Sequence, residues 1–184
     1  MKTLIINGSP RKNGDTASLL TELKNYLNHD VIEISVYDND VKIQPCIDCR
    51  ACKEKKGCII NDDMQLIYED DFDNVVIASP LYMSNLTPPL MSFASRFQAY
   101  YCAKRFLKDE ILVKRKKGAL ILVGGGDGNP ENAIELSEWI LKKLNAEFEN
   151  HMTFSLKTDD IPASQDEAAI KWIQSIASFF NTLT

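Results

Sequence analysis

A chain of 184 residues with 45% hydrophobic and 26% charged residues has the composition of a globular domain that buries roughly 70% of its unfolded surface. Its net charge of −5 excludes tracking of nucleic-acid phosphates as the main activity, which needs clustered excess Lys and Arg, and leaves small molecules and proteins as partners. No apolar run approaches the roughly 20 residues needed to cross a bilayer, and Met1 to Gly8 runs into Ser and Pro without the apolar stretch of a signal peptide, so the cytoplasm is the expected compartment.

Apolar β-rich runs alternate with amphipathic stretches along the chain, the order expected of parallel strands joined by helical crossovers. The first strand is predicted over Thr3–Asn7 and is followed by a Gly/Ser/Pro/Asn loop. A helix is predicted over Thr16–Asn28, with Ala17, Leu19, Leu20, Leu23 and Leu27 at helical spacing and Asp15 as N-cap. Val31–Val36 reads as the second strand, and Asp62–Glu69 as a short helix in which one of Asp62 and Asp63 is a cap. Val75–Ala78 is an uninterrupted apolar run, as expected of a central strand covered on both faces. A helix is predicted over Pro88–Ala103, a strand over Lys117–Val123, and a helix to Leu144 with Pro130 at its first position. The fifth strand fits Glu147–Leu156, and a last helix Ser164–Phe180. The expected architecture is therefore a doubly wound, five-stranded parallel α/β sheet in a three-layer sandwich, one domain over 1–184 with a cysteine-rich insertion at about 45–60. The basic run Lys114–Lys117 reads as a solvated turn, His29 and His151 as structural or solvated, and Cys102 as a buried apolar residue.

In open α/β sheets ligands bind beyond the carboxyl ends of the strands, so the loops after the first, third and fourth strands matter most. Gly8-Ser9-Pro10-Arg11-Lys12-Asn13-Gly14-Asp15-Thr16 offers hydroxyls, backbone N–H groups and a guanidinium at a helix N-terminus, the parts of a phosphate site. It lacks both the P-loop and the dinucleotide fingerprints, which points to a phosphate monoester. Ser79 to Pro89 mixes aromatic, apolar and small polar side chains suited to a flat heterocycle, and Gly124-Gly125-Gly126-Asp127-Gly128 has enough glycine for backbone to approach a ligand closely.

The three loops in this order, with Asp62-Asp63-Met64, Ser79-Pro80-Leu81-Tyr82 and the helix bearing Arg96, resemble the NAD(P)H-dependent FMN reductase family with the flavodoxin-like fold, over about residues 1–145. The resemblance implies FMN, with its phosphate held by Ser9, Arg11, Asn13 and Thr16. The isoalloxazine would be held by Pro80, Leu81, Tyr82, Ser84, Asn85 and the loop Gly124, Gly125, Gly126 and Asp127. It also implies NADH or NADPH as electron donor and a homodimer or homotetramer. Hydride transfer to a flavin requires no side-chain acid or base, so no catalytic residue is assigned.

Four of the five cysteines, Cys46, Cys49, Cys52 and Cys58, follow the spacing C-x2-C-x2-C-x5-C. Such short spacings let one loop wrap four thiolates around an iron–sulfur cluster. A structural zinc site, unligated thiols and a reversible disulfide are the alternatives. The segment resembles the cysteine motif of iron–sulfur flavoproteins, a branch of the same family that carries a 4Fe-4S cluster beside FMN, which implies these four cysteines as ligands and a ferredoxin-like redox partner. Two rival readings remain: an FMN/iron–sulfur electron carrier with little NAD(P)H turnover, and a flavin-free metal-binding domain.

Overall fold

The computed structural model describes residues 1–109, 114–148 and 151–182. Strands β1 (Lys2–Asn7), β2 (Asp30–Ser35), β3 (Asn74–Pro80), β4 (Lys116–Val123), β5 (Ala146–Glu147) and β6 (Met152–Ser155) form one parallel sheet in the order β2-β1-β3-β4-β5, with β6 also on β4. Helices α1 (Asp15–Tyr26), α2 (Gln65–Tyr68), α3 (Pro88–Ser95), α4 (Gln98–Cys102), α5 (Glu131–Lys143) and α6 (Glu167–Phe180) cover it. This is the doubly wound, flavodoxin-like strand order. None of the described helices is long and apolar enough to cross a membrane.

Alternation along the central strands produces the layers. Leu4, Ile6, Val75, Ile77, Leu120 and Leu122 face α3, α4 and α5, while Ile5, Val76, Ala119 and Ile121 face Leu19 and Leu23 of α1 and Ile173 and Ile176 of α6. Apolar side chains on both faces explain why these strands read as continuous hydrophobic runs.

Long-range contacts move several element boundaries. The fifth strand position holds two short strands: β5 pairs with Lys116 and Lys117, and β6 pairs with Leu120 to Val123. Between them Phe148 packs against the core, and the His151 N–H donates to the Phe148 carbonyl (3.0 Å); residues 149 and 150 of the predicted strand lie outside the described residues. The predicted helix Pro88–Ala103 breaks at Arg96 and Phe97, whose N–H groups bond three residues back, to Phe93 and Ala94 (both 3.1 Å), before α4 runs into a π-helical stretch, Ala103–Leu107. Asp15 is the first residue of α1 rather than its cap, and its carboxylate accepts the N–H of Ala163 (3.0 Å) instead. Pro130 is itself the N-cap of α5, with Asn129 Oδ1 accepting the N–H of Glu131 (3.0 Å). The last helix starts three residues later than predicted, where Asp166 caps it through the N–H of Ala169 (3.1 Å).

The basic run is only partly solvated. Arg115 is exposed, but the Lys116 ammonium is buried in an ion pair with Asp70, and Lys117 Nζ donates to the carbonyls of Phe179 (2.8 Å) and Thr182 (2.6 Å). Both histidines are structural: His29 Nε2 meets Thr3 Oγ1 at 2.7 Å, and His151 stacks on Phe179 with centroids 3.7 Å apart. Burial foremost holds both below the ordinary histidine value of 6.5. The folded chain therefore binds fewer protons there than the unfolded chain, so the stability linked to them is whole above about pH 6.5 and is lost as pH falls. Urea unfolding is expected to show a lower midpoint at about pH 5.5 than at about pH 7.5, and His151→Phe a smaller difference between the two.

Candidate functional site

The carboxyl ends of β1, β3 and β4 bring the three loops together. Gly8 N–H donates to the Ala78 carbonyl (2.7 Å), the Thr87 hydroxyl donates to the Gly8 carbonyl (2.9 Å), and Leu81 N–H donates to the Val123 carbonyl (2.7 Å). A Cβ at Gly8 would come within 2.8 Å of Leu90 Cγ, and closer still to Cδ1, in the fully buried core under α3. Gly8→Ala is therefore expected to destabilise by about 1–3 kcal/mol through overpacking, read as a lower thermal midpoint. Leu81 lies where a Cβ on Gly124 would sit 3.3 Å from its Cδ1, so the second and third loops touch directly.

In the first loop the Ser9 hydroxyl is engaged by the turn itself, accepting the N–H of Arg11 (3.2 Å) and donating to its carbonyl (3.3 Å). Other donors remain open. Among the described residues, the N–H groups of Lys12, Asn13, Asp15, Thr16 and Ala17 and the Thr16 hydroxyl have no acceptor, and the exposed Arg11 guanidinium is only 3.8 Å from Asp15. Unpaired N–H groups at the start of a 12-residue helix, with an exposed cation beside them, fit a phosphate.

The second loop is a two-residue hairpin. Tyr82 and Asn85 exchange N–H to carbonyl bonds, each 2.9 Å, around Met83 and Ser84, both left-handed at φ 53° and 60°. Asn-Gly usually serves such a turn; here non-glycine residues hold the costly conformation, and Met83 stands 98% exposed at the tip beside a 42% exposed Tyr82. Pro80, Leu81, Ser84 and Asn85 are half-buried. In the third loop Gly126 and Asp127 are exposed, and the chain after β6 braces the glycines. Thr158 donates through N–H (3.0 Å) and hydroxyl (3.1 Å) to the Gly124 carbonyl, and Asp159 N–H donates to that of Gly125 (3.2 Å). Sequence reasoning did not find this brace, because nothing in residues 157–161 marks it before the chain is folded back.

The cysteine segment sits at the other end of α3. Asp48 and Arg50 are left-handed at φ 48° and 65° and turn the chain on either side of Cys49. Cys46 N–H donates to Ser95 Oγ (2.9 Å), and a 3-10 turn, Ala51–Lys53, packs against α4. Cys46, Cys49, Cys52 and Cys58 line one open cavity. Cys102 lines it too, so the fifth cysteine is buried as expected but belongs to this cluster of thiols. Burial, and then contact with Cys102, push the Cys52 thiol up to about 12.

Arg96 completes the cavity wall with a fully buried side chain, ion-paired to Asp62 at 2.5 Å. α2 takes Met64 as its N-cap, and Asp62 Oδ1 accepts the Met64 N–H (3.2 Å) at the turn into it, the capping role expected of one of the two aspartates; Asp62 also serves Arg96 and the N–H of Gln44 (2.9 Å), and Asp63 the N–H of Lys42 (2.6 Å). Among the described residues no three His, Cys, Asp or Glu side chains are placed to hold a single metal ion.

This strand order, with an open phosphate-type loop, an aromatic turn and a glycine loop at the carboxyl ends of the central strands, defines an α/β protein of the flavodoxin-like class. The chain belongs to the NADPH-dependent FMN reductase family, whose model matches residues 1–159. It is 31% identical to an iron–sulfur flavoprotein of Archaeoglobus fulgidus over 77% of this chain and 63% of the relative, and 34% identical to one of Methanocaldococcus jannaschii over 73% and 67%. The chain thus spans a little under two thirds of the Archaeoglobus protein. Among solved structures, an FMN-dependent NADH-azoreductase of Bacillus anthracis in complex with FMN shares the fold with a TM-score of 0.70 at 19% identity, covering 99% of this chain and 100% of the other. An NAD(P)H:quinone oxidoreductase of Methanothermobacter marburgensis does so with a TM-score of 0.69 at 13% identity, covering 100% and 98%.

Proposed function

We propose that this chain is an FMN-dependent NAD(P)H oxidoreductase in which Cys46, Cys49, Cys52 and Cys58 hold an iron–sulfur cluster. The observation that carries the reading is the convergence, at the carboxyl ends of β1, β3 and β4, of Arg11 and the open N–H groups of Lys12, Asn13, Asp15, Thr16 and Ala17 with the Tyr82 turn and the Gly124–Asp127 loop. Bound FMN supplies hydride and electron transfer. The chain's own residues do the rest: Arg11, Thr16 and the start of α1 bind the phosphate, Leu81 and Tyr82 cover the apolar ring, and the glycine loop lets backbone approach its polar edge.

The cluster reading is supported by the four motif thiols lining one cavity and by the name shared by the relatives. The C-x2-C-x2-C-x5-C spacing is tighter than the paired C-x2-C of the usual tetrahedral zinc site, which favours a cluster over zinc. Electrons then leave to a small molecule or a ferredoxin-like protein.

Anaerobic addition of NADPH to the FMN-loaded chain tests the activity. Rapid loss of flavin absorbance is expected; reduction by dithionite or a reduced redox protein alone would instead make the chain an electron carrier.

A further inference from the structure

Arg96 stands between α3 and α4, and its side-chain hydrogen bonds run to the segment that carries the cysteines. Nη1 donates to the Gln44 carbonyl (2.9 Å) and to Asp62 Oδ2 (2.5 Å), and Nη2 donates to the Ile60 carbonyl (3.3 Å). Gln44 lies two residues before Cys46 and Ile60 two after Cys58, so one guanidinium grips both stems of the cysteine loop. Asp62 closes the same ring by accepting the Gln44 N–H (2.9 Å). A rigid planar fork can fix acceptors in several directions at once, which a lysine ammonium on a flexible stem does not.

The remaining donor is the informative one. Arg96 Nε is buried and has no hydrogen-bond partner among the described residues, although the residue lines the cavity that holds all five thiols. A buried donor left without an acceptor is unfavourable. The Tyr68 hydroxyl beside the guanidinium donates its proton to the Arg96 carbonyl (3.1 Å); on the cavity side the groups are thiols, where an anionic sulfur, either a ligating thiolate or a cluster sulfide, would satisfy the Nε donor.

We propose that Arg96 is the positioning residue of the cysteine site. Its clamp holds the loop so that the thiols face one cavity, and its Nε–H donates to the anionic sulfur of the group that the cavity takes. The inference rests on the reading of that cavity as a cluster site. A hydrogen bond to the sulfurs favours the reduced, more negative form, so Arg96 raises the cluster's reduction potential through its Nε–H.

The test compares the wild-type chain with Arg96→Lys and Asp62→Asn, each checked for folding by circular dichroism. In iron-free protein, hydrogen exchange over residues 44–60 is expected to quicken by about tenfold or more in Arg96→Lys, because charge-assisted bonds are lost at both stems. After anaerobic reconstitution, Arg96→Lys is expected to show a lower midpoint potential at equal iron and sulfide content. Asp62→Asn keeps the Nε–H and removes a negative charge, so it loosens the loop without lowering the potential.

A wild-type chain that takes up no iron and sulfide overturns the reading of the cavity and the Nε donor with it. A wild-type chain that loads normally, beside an Arg96→Lys chain of equal potential and equal exchange, overturns the role of Arg96 alone. If Arg96→Lys does not fold, Asp62→Asn decides: quicker exchange over 44–60 supports the clamp, and unchanged exchange overturns it.

Discussion

Arg96→Ala is expected to destabilise the folded chain by about 3–5 kcal/mol, the range for removing one partner of a buried ion pair. The Asp62 side chain is only 2% exposed, so alanine leaves a carboxylate without its counter-charge, and it strips the Gln44 and Ile60 carbonyls of their donor. At about 2–4 °C per kcal/mol for a chain of this size, the thermal midpoint falls by roughly 6–20 °C. Neutralising both partners, as Arg96→Met with Asp62→Asn, is expected to cost less than the two single changes added together, because no isolated charge stays buried. Thermal unfolding of the four proteins measures this coupling; strictly additive losses would show that the pair does not act as a unit.

The second large effect concerns the first loop. Arg11→Ala combined with Thr16→Val is expected to weaken FMN binding by on the order of 100-fold, since a charge-assisted bond and a hydroxyl bond to the phosphate are lost together. Arg11 is 70% exposed, and the Thr16 hydroxyl has no partner among the described residues, so stability should change little. Quenching of flavin fluorescence on titration reads the affinity. Riboflavin, which has no phosphate, supplies the control: it is expected to bind the variant and the parent alike, and an equal loss for riboflavin would place Arg11 and Thr16 away from the phosphate.

Much of the scaffold could be read before folding because its signals are local. The runs around Leu4–Ile6, Val75–Ala78 and Ala119–Val123 are apolar on both alternating faces, as the buried centre of a parallel sheet requires, and the three loops between them fall where the fold collects ligands. What escaped depends on partners distant in sequence. Arg96 breaks its helix while bonding to Gln44, 52 residues away; Lys116 and Lys117 look solvated until Asp70 and the end of α6 meet them. Cys102 reads as an inert core residue until α4 carries it to the cysteine cavity. β5 ends before Phe148 for the same reason, since that side chain packs against the core. In the candidate site, residue types and their order were legible, whereas the Thr158 and Asp159 brace and the grip of Arg96 are properties of the folded chain.

The most direct measurement is the visible spectrum of anaerobically purified protein, with FMN, iron and acid-labile sulfide assayed on the same sample. Flavin bands with stoichiometric FMN, together with iron and sulfide that disappear when Cys46 and Cys49 are both replaced by serine, are the predicted result. A colourless protein that takes up no FMN would contradict the account at its centre, and flavin without iron or sulfide would contradict the assignment of the cysteine cavity.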